Sequence, residues 1–417
     1  MVKRYKVASL GCRTNQYEAK AFENQLQKLG YQEVEENADA DICIVNTCTV
    51  THGADKDSRA KVRSMLKKHQ NAKVVVTGCM AEAAKEDLLA LDSRVEVFLN
   101  KDKEKIIEKL FPDIETYPEF NIEQFEGHTR AFVKVQDGCN SFCTYCIIPY
   151  VRGRSTSRKI PDIVQEIHKL VDQGYKEIVL TGINIGDFDG DGQNKRLSDL
   201  VYAVEDIKGV ERIRISSIDP DEVEQDLQDA VLNSKKTCPS MHIVLQSGSN
   251  TILKRMNRKY TRQMFFETID RLRELDPNFT FTTDVIVGFP GETEKDFEET
   301  LDVIKKVRFA KVHMFPYSRR KRTRAALYTD QVPPEIIQQR KQTLLRLAEK
   351  QAFELREEFI GKEANVLLEK RISPDYIEGH TETFLPVKLF STSLNRNDLV
   401  KVKLVENTPE GFIGKVL

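Results

Sequence analysis

The sequence predicts an α/β chain in three parts: an N-terminal open parallel sheet flanked by helices, a central partial TIM-like (β/α)6 barrel and a small all-β barrel at the C-terminus. Three observations carry this. Residues 1 to about 100 alternate short apolar runs with amphipathic helical stretches, six further strand–helix alternations begin near Ala131, and residues 361–417 lose the helical period and alternate apolar with polar residues. A chain of 417 residues is long enough for two or three domains, each with its own core. The boundaries are expected at 1–118, 125–357 and 358–417, with the polar, acidic stretch from Tyr117 to Thr129 as a linker.

In the first part Lys6 to Leu10 reads as a strand, and Asn15 to Leu29 as a helix with Ala19, Phe22, Leu26 and Leu29 on one face and Gly30 at its stop. Asp41 to Val45 is the next strand, followed by a basic helix from about Ala54 to His69. Lys73 to Thr77 and Val95 to Leu99 complete the sheet. The barrel strands are Ala131–Val135, Glu177–Thr181, Glu211–Ile215, Met241–Leu245, Phe281–Val287 and Lys311–Phe315. A charged helix from Pro334 to Glu358 leads to the short β runs Ala364–Glu369, Leu399–Leu404 and Phe412–Leu417.

Charge is abundant and balanced, 64 basic against 65 acidic residues for a net charge of -1, so a nucleic-acid partner must be met by a local basic patch. No apolar run approaches the length of a membrane span, and Met1 to Leu10 runs straight into a strand, unlike a signal peptide. The expectation is a cytoplasmic protein, monomeric and without membrane contact. Eight cysteines in such a chain read as metal ligands, because reducing cytosol keeps thiols free.

Three of them, Cys139, Cys143 and Cys146, form a C-x3-C-x2-C loop just past the first barrel strand, where barrel chemistry sits. Zinc normally takes four ligands, and no fourth Cys or His lies near. A four-iron cluster closed by three thiolates instead keeps one iron open to an outside ligand. Cys12, Cys48 and Cys79 each directly follow a strand of the first part, so the sheet topology should gather them on one edge as a second three-thiolate site. Cys43, inside an apolar strand, and Cys238 read as core packing. His52 and His128 read as ordinary surface or packing histidines.

Leu10-Gly-Cys-Arg-Thr-Asn-Gln-Tyr-Glu18, Asn46-Thr-Cys48, Thr77-Gly-Cys-Met80 and the C-x3-C-x2-C loop together resemble the methylthiotransferase family of radical S-adenosylmethionine enzymes over essentially the whole chain. The resemblance implies an N-terminal methylthiotransferase domain with an auxiliary 4Fe-4S cluster on Cys12, Cys48 and Cys79. It implies a radical S-adenosylmethionine barrel with its own 4Fe-4S cluster on Cys139, Cys143 and Cys146, and a C-terminal TRAM domain that grips substrate. Further matches run through Ile148–Arg154, Thr181–Asn184, Ser216–Ser217, Leu245–Gly248, Leu253–Arg258, Asp284–Gly291 and Phe315–Ser318. From these, Tyr145, Gly182, Asn184, Ser217, Gln246, Asp284 and Gly288 are the expected S-adenosylmethionine contacts. Tyr145 would stack near the adenine, and the two glycines would let the backbone approach the cofactor. No protein side chain is assigned a catalytic role, since cofactors carry this chemistry.

Within the family, substrates are isopentenyl-adenosine or threonylcarbamoyl-adenosine in tRNA, or an aspartate of a ribosomal protein. Asn15-Gln-Tyr17 and Val151–Arg158 are most similar to the threonylcarbamoyl-adenosine enzymes, although Arg13-Thr14 replaces a common Lys-Val pair. The expectation is therefore a tRNA methylthiotransferase acting next to the anticodon, with tRNA, an electron donor and a sulfur donor as partners. A ribosomal aspartate, isopentenyl-adenosine and a non-catalytic RNA-binding iron–sulfur sensor are the alternatives. The basic run Arg319, Arg320, Lys321, Arg322 and Arg324 replaces a Pro/Gly-containing turn and follows the sixth barrel strand, where it is expected to contact RNA phosphates.

Overall fold

The computed structural model describes residues 3–34, 38–124 and 129–417. Its first sheet contains β1 (Arg4–Ser9), β2 (Gln32–Glu33), β3 (Ile42–Thr47), β4 (Lys73–Gly78) and β5 (Val95–Val97). All pairings are parallel, in the order β2-β1-β3-β4-β5. The central strands β3 and β4 are buried almost throughout, as expected of a sheet covered on both faces. Helices α1 (Arg13–Lys28), α2 (His52–Lys68) and α3 (Cys79–Ala83) each begin within a few residues of a strand's carboxyl end. Only the two-residue edge strand β2 lacks an apolar signal in the sequence, and both its residues are exposed.

The barrel strands are β6 (Arg130–Lys134), β9 (Glu177–Thr181), β10 (Arg212–Ile215), β11 (Ser240–His242), β12 (Thr280–Val287) and β13 (Lys311–Pro316), with a small hairpin of β7 (Gln136–Asp137) and β8 (Thr156–Ser157). Pairing runs β6-β9-β10 and β11-β12-β13, and bridges Ile213–Thr237 and Ile218–Ile243 join the halves into a six-stranded partial barrel. Ala131, Val133, Ile178, Leu180, Ile213 and Phe281 belong to its core. β11 is shorter than its apolar run because the Leu245 N–H bonds the Thr283 hydroxyl at 2.9 Å in place of a ladder carbonyl.

The helix Pro334–Glu357 gives Leu344 and Ala348 to the barrel core and Leu355 to that of the C-terminal barrel. That barrel closes as β14 (Glu363–Arg371), β15 (Tyr376–Thr381), β16 (Pro386–Phe390), β18 (Gly411–Val416) and β17 (Leu399–Thr408). Among the described residues no helix is long and apolar enough to cross a membrane.

The expected linker is a packed strap over much of its described length. Gln25 Nε2 donates to the Pro118 carbonyl at 2.7 Å, Phe120 tilts against Phe22, and Ile122 is fully buried in the barrel core. Polar composition misled here because the strap is held by hydrogen bonds to α1 and by two apolar anchors. His128 lies outside the described residues.

Candidate active site

Parallel register sets the first cysteine group. Ser9 pairs with Asn46, and Thr47 pairs with Gly78, so the three loops after β1, β3 and β4 leave the same edge of the sheet. Cys12 caps α1, Cys48 follows β3 and Cys79 opens α3. Gly11 has φ +94°, and a Cβ there would lie 2.8 Å from Cys48 Cβ, so this loop crosses Cys48 only as glycine. Cys48 and Cys79 are buried, whereas Cys12 is exposed. Burial pushes the Cys79 thiol up to about 12, opposed by Arg152 and reinforced by Cys12 and Cys48. The loops of Cys12, Cys48 and Cys79 thus meet at this edge of the sheet, with Arg152 donating to Cys79 Sγ.

The second group lies on the loop after β7. Burial pushes the Cys146 thiol up to about 12, with Cys143 and then Cys139 adding to the effect. Arg258 Nη1 donates to Cys143 Sγ at 2.8 Å, and the Ser141 N–H lies 3.4 Å from Cys139 Sγ. Cationic and amide donors of this kind stabilise sulfur that carries negative charge. One apolar cluster separates the two groups: Cys79 packs with Ile147, Ile148 and Val151, against which Cys139 and Cys146 also pack. Cys43 is completely buried in the first sheet's core, and Cys238 is buried as well.

Among the described residues, no three His, Cys, Asp or Glu side chains are set to hold a single metal ion. A cubane cluster takes its thiolates from separate irons, and an all-cysteine donor set suits it. Both groups thus have the donor chemistry for a 4Fe-4S cluster.

Between Cys12 and the open end of the barrel lies a cavity of about 400 Å³. Gly182, Ser217 and Asp284 line it from the barrel, Arg13 and Gln16 from α1, and Phe384 from the C-terminal barrel. A larger cleft of about 540 Å³ lies around Arg152, Arg154 and Arg158, but no cysteine lines it. The smaller cavity is therefore the better reaction chamber. Arg13 enters it without an ion-pair partner among the described residues. Burial, then Arg130 and Arg214, pull its guanidinium down to about 10.

The other expected cofactor residues distribute unevenly. Tyr145 packs edge-on against Phe289 at 6.4 Å, beside Cys143 and Cys146. Gln246 adopts φ +59° with its N–H 2.8 Å from the Asp284 carbonyl, and its buried side-chain oxygen has no partner. Asn184 donates to Glu222 at 2.8 Å. Gly288 also packs against a helix. A Cβ there would meet Ile337 Cγ1 at 2.4 Å, and its N–H donates to Glu292 at 2.8 Å. The missing side chain of this glycine admits the helix Pro334–Glu357 against the barrel. The missing side chain of Gly182 is likewise covered, by Gln136 Oε1 at 2.8 Å, although Gly182 does line the cavity.

The basic run also divides. Arg319, Lys321, Arg322 and Arg324 are exposed, and Arg322 lies over the half-exposed Tyr150 ring at 5.5 Å. Arg320 is buried, donating to the Thr49 carbonyl at 3.1 Å and pairing with Asp55 at 2.8 Å. It fastens the barrel to α2 and is unavailable to RNA. His52, which heads α2, assists this joint, with its N–H 3.0 Å from Ser318 Oγ.

Sequence reasoning missed a charged knot that joins the first cysteine loop to the radical loop. Glu18 is fully buried among Lys103 Nζ at 2.6 Å, Arg152 Nη1 at 3.1 Å and Asn46 Nδ2 at 2.9 Å. Arg152 also reaches Asp137 at 2.7 Å, the Asn15 side chain and Cys79 Sγ at 3.3 Å. Tyr17 donates to Glu166 at 2.9 Å, and Arg158 pairs with the same carboxylate at 2.5 Å. The two motifs that the sequence linked to substrate choice, Asn15–Glu18 and Val151–Arg158, are therefore mainly bonded to each other. The signal was present as paired Glu and Arg residues in two motifs of one chain.

Residues 133–304 match the Radical SAM superfamily, and residues 4–100 match the Uncharacterized protein family UPF0004. The chain is similar to the threonylcarbamoyladenosine tRNA methylthiotransferase MtaB of Chlamydia pneumoniae, 48% identical and covering 99% of this chain and 98% of that protein. It is 36% identical to the tRNA-2-methylthio-N(6)-dimethylallyladenosine synthase of Carboxydothermus hydrogenoformans, covering 97% of each. Among solved structures it resembles the radical S-adenosylmethionine methyltransferase TsrM of Kitasatospora setae, with TM-score 0.54, 12% identity, and coverage of 91% of this chain and 81% of that one, a likeness of fold.

Proposed function

We propose that this chain, which belongs to the methylthiotransferase family of radical S-adenosylmethionine enzymes, adds a methylthio group to carbon 2 of threonylcarbamoyl-adenosine next to the anticodon of tRNA. The observation that carries the reading is the meeting of two cysteine groups across one apolar cluster, with a cavity running from Cys12 to Gly182, Ser217 and Asp284. Sulfur delivery and carbon–hydrogen activation need two centres facing one substrate. The 48% identity to a threonylcarbamoyl relative over nearly the whole of both chains supports the choice of modified base.

In this reading Cys12, Cys48 and Cys79 hold the auxiliary 4Fe-4S cluster, and Cys139, Cys143 and Cys146 hold the barrel cluster. When bound, the clusters and S-adenosylmethionine supply the sulfur, the methyl group and the radical chemistry that acid–base groups cannot direct at an inert carbon–hydrogen bond. The protein's own residues orient and shield. Arg258 and Arg152 place positive charge on Cys143 and Cys79, and Ile147, Ile148 and Val151 keep the space between the two groups apolar. Ser217 and Asp284 offer polar contacts to the cofactor at the cavity wall, and Tyr145, Asn184 and Gln246 are its further contacts in this reading. Phe384 brings the C-terminal barrel to the cavity mouth, where it packs against Arg214. The exposed residues Arg319, Lys321, Arg322 and Arg324 contact phosphates. Residues 1–118, 125–357 and 358–417 serve as the three functional units. The partners are tRNA, an electron donor and a sulfur donor, and the protein works in the cytoplasm.

Nucleoside mass spectrometry of tRNA from a strain lacking the gene tests this. Loss of 2-methylthio-threonylcarbamoyl-adenosine with accumulation of its unthiolated precursor is expected. Loss of the isopentenyl derivative instead would reassign the substrate.

A further inference from the structure

We infer that Arg13 and Arg214 form an anion subsite in the cavity that accepts the carboxylate of the threonylcarbamoyl group, with Arg13 as the residue that selects an acidic substituent on the base. The inference rests on the substrate reading above and adds the residues that enforce it.

The argument is one of charge pairing. Arg13 and Arg214 line the cavity, while Arg130 shares Phe384 with Arg214 and Arg212 shares Glu177 with it. Three of these four have acidic partners: Arg130 with Glu369 at 3.2 Å, Arg212 with Glu177 at 3.4 Å and Glu382 at 3.6 Å, and Arg214 with Glu177 at 2.9 Å. Asp284, an acid of the cavity wall, lies 3.4 Å from His242. Arg13 is left over. Among the described residues it makes no ion pair, and its guanidinium lies over the Phe132 ring at 5.5 Å. A half-buried guanidinium at a cavity wall without a carboxylate gives up part of its hydration with no ion pair in return, which suits an incoming anion.

Arg214 supplies a second, independent sign. It is 5% exposed and lines the same cavity. Its Nε is committed to Glu177 and its Nη2 to the Glu382 carbonyl at 3.4 Å, while Nη1 is buried without a partner. Its guanidinium is clamped over Phe384 at 4.8 Å, so the free donor is fixed in direction. A carboxylate has two oxygens and accepts from two such donors together. Arg13 immediately follows Cys12, so an anion held here would keep the attached adenine beside the sulfur-delivering loop. An alkyl side chain in its place would leave the Arg13 guanidinium without an ion pair and Arg214 Nη1 without an acceptor, and a polar site rejects such an analogue strongly.

The test uses reconstituted holoprotein and two anticodon stem-loop RNAs, one bearing threonylcarbamoyl-adenosine and one bearing its uncharged threoninamide form. The equilibrium Kd and kcat/KM are measured for both. Wild-type protein should prefer the acid by about 100-fold, Arg13→Met should bring the preference below about 10-fold, and Arg13→Lys should retain most of it. A general loss of fold or loading would lower both RNAs together and leave the ratio unchanged. If wild-type protein shows no preference, or if Arg13→Met keeps the wild-type ratio, the subsite is refuted while the threonylcarbamoyl substrate stands. If wild-type protein modifies neither RNA, the substrate reading falls and the subsite with it.

Discussion

Arg152 Nη1 lies 3.1 Å from Glu18 Oε1 and 2.7 Å from Asp137 Oδ1, tying the helix behind Cys12 to the strand that leads into the radical loop. Burial alone would raise the Glu18 carboxyl, but Arg152, Lys103 and Lys134 hold it down at about 2. A carboxylate whose folded value lies below its ordinary 4.5 stabilises the fold above that pH and loses its contribution as pH falls towards about 2. Glu18→Gln leaves Arg152, Lys103 and Lys134 sharing Asp137, so urea unfolding at neutral pH should show a loss of up to about 3 kcal/mol. The acid limb of the stability profile between pH 4.5 and about 2 should flatten. Wild-type stability in the variant would mean that the knot is solvated in solution.

The basic loop should separate into two behaviours. Neutralising Arg319, Lys321, Arg322 and Arg324 should weaken tRNA binding and flatten its dependence on log salt by up to about three or four units of slope. Arg320→Gln should instead lower the melting temperature, because it breaks the buried contact with Asp55 and Thr49. Loss of salt dependence from Arg320→Gln alone would reverse this assignment.

Anaerobic reconstitution should load about eight irons per chain, and replacing Cys139, Cys143 and Cys146 together by Ala should leave about four. Cys48→Ala should still yield deoxyadenosine from S-adenosylmethionine but no methylthiolated RNA. Unchanged iron content in the triple variant, or loss of cleavage in Cys48→Ala with the barrel cluster intact, would contradict the division between the two sites.

Gly288→Ala should destabilise the protein by about 1–3 kcal/mol, since its Cβ collides with Ile337 at a backbone of φ +76°. Thermal unfolding measures this, and S-adenosylmethionine binding to the folded fraction should be unaltered. A variant of wild-type stability with weakened cofactor binding would restore the glycine to a direct cofactor role.

The strand–helix alternation and the paired cysteine spacings were legible because both are local: a strand's apolar run and the turn after it occupy adjacent residues. Parallel register then places Cys12, Cys48 and Cys79 on one edge without further information. What stayed hidden was long-range pairing. Nothing in the run Ser318–Arg324 distinguishes Arg320 from its exposed neighbours, because Asp55 lies far away in sequence. Gly288 looked like a cofactor turn because a close approach by Ile337 leaves the same sequence mark as one by a ligand. The unpaired state of Arg13 can be recognised only once the partners of Arg130, Arg212 and Arg214 are known.

The most direct measurement is a side-by-side reaction of anaerobically reconstituted protein, S-adenosylmethionine, reductant and sulfur source with two tRNAs, one threonylcarbamoylated and one isopentenylated, followed by nucleoside mass spectrometry. Methylthiolation of the threonylcarbamoyl-adenosine tRNA, with the isopentenylated tRNA unchanged, is the expected result. Equal turnover of the two tRNAs, or product only from the isopentenylated one, would contradict it.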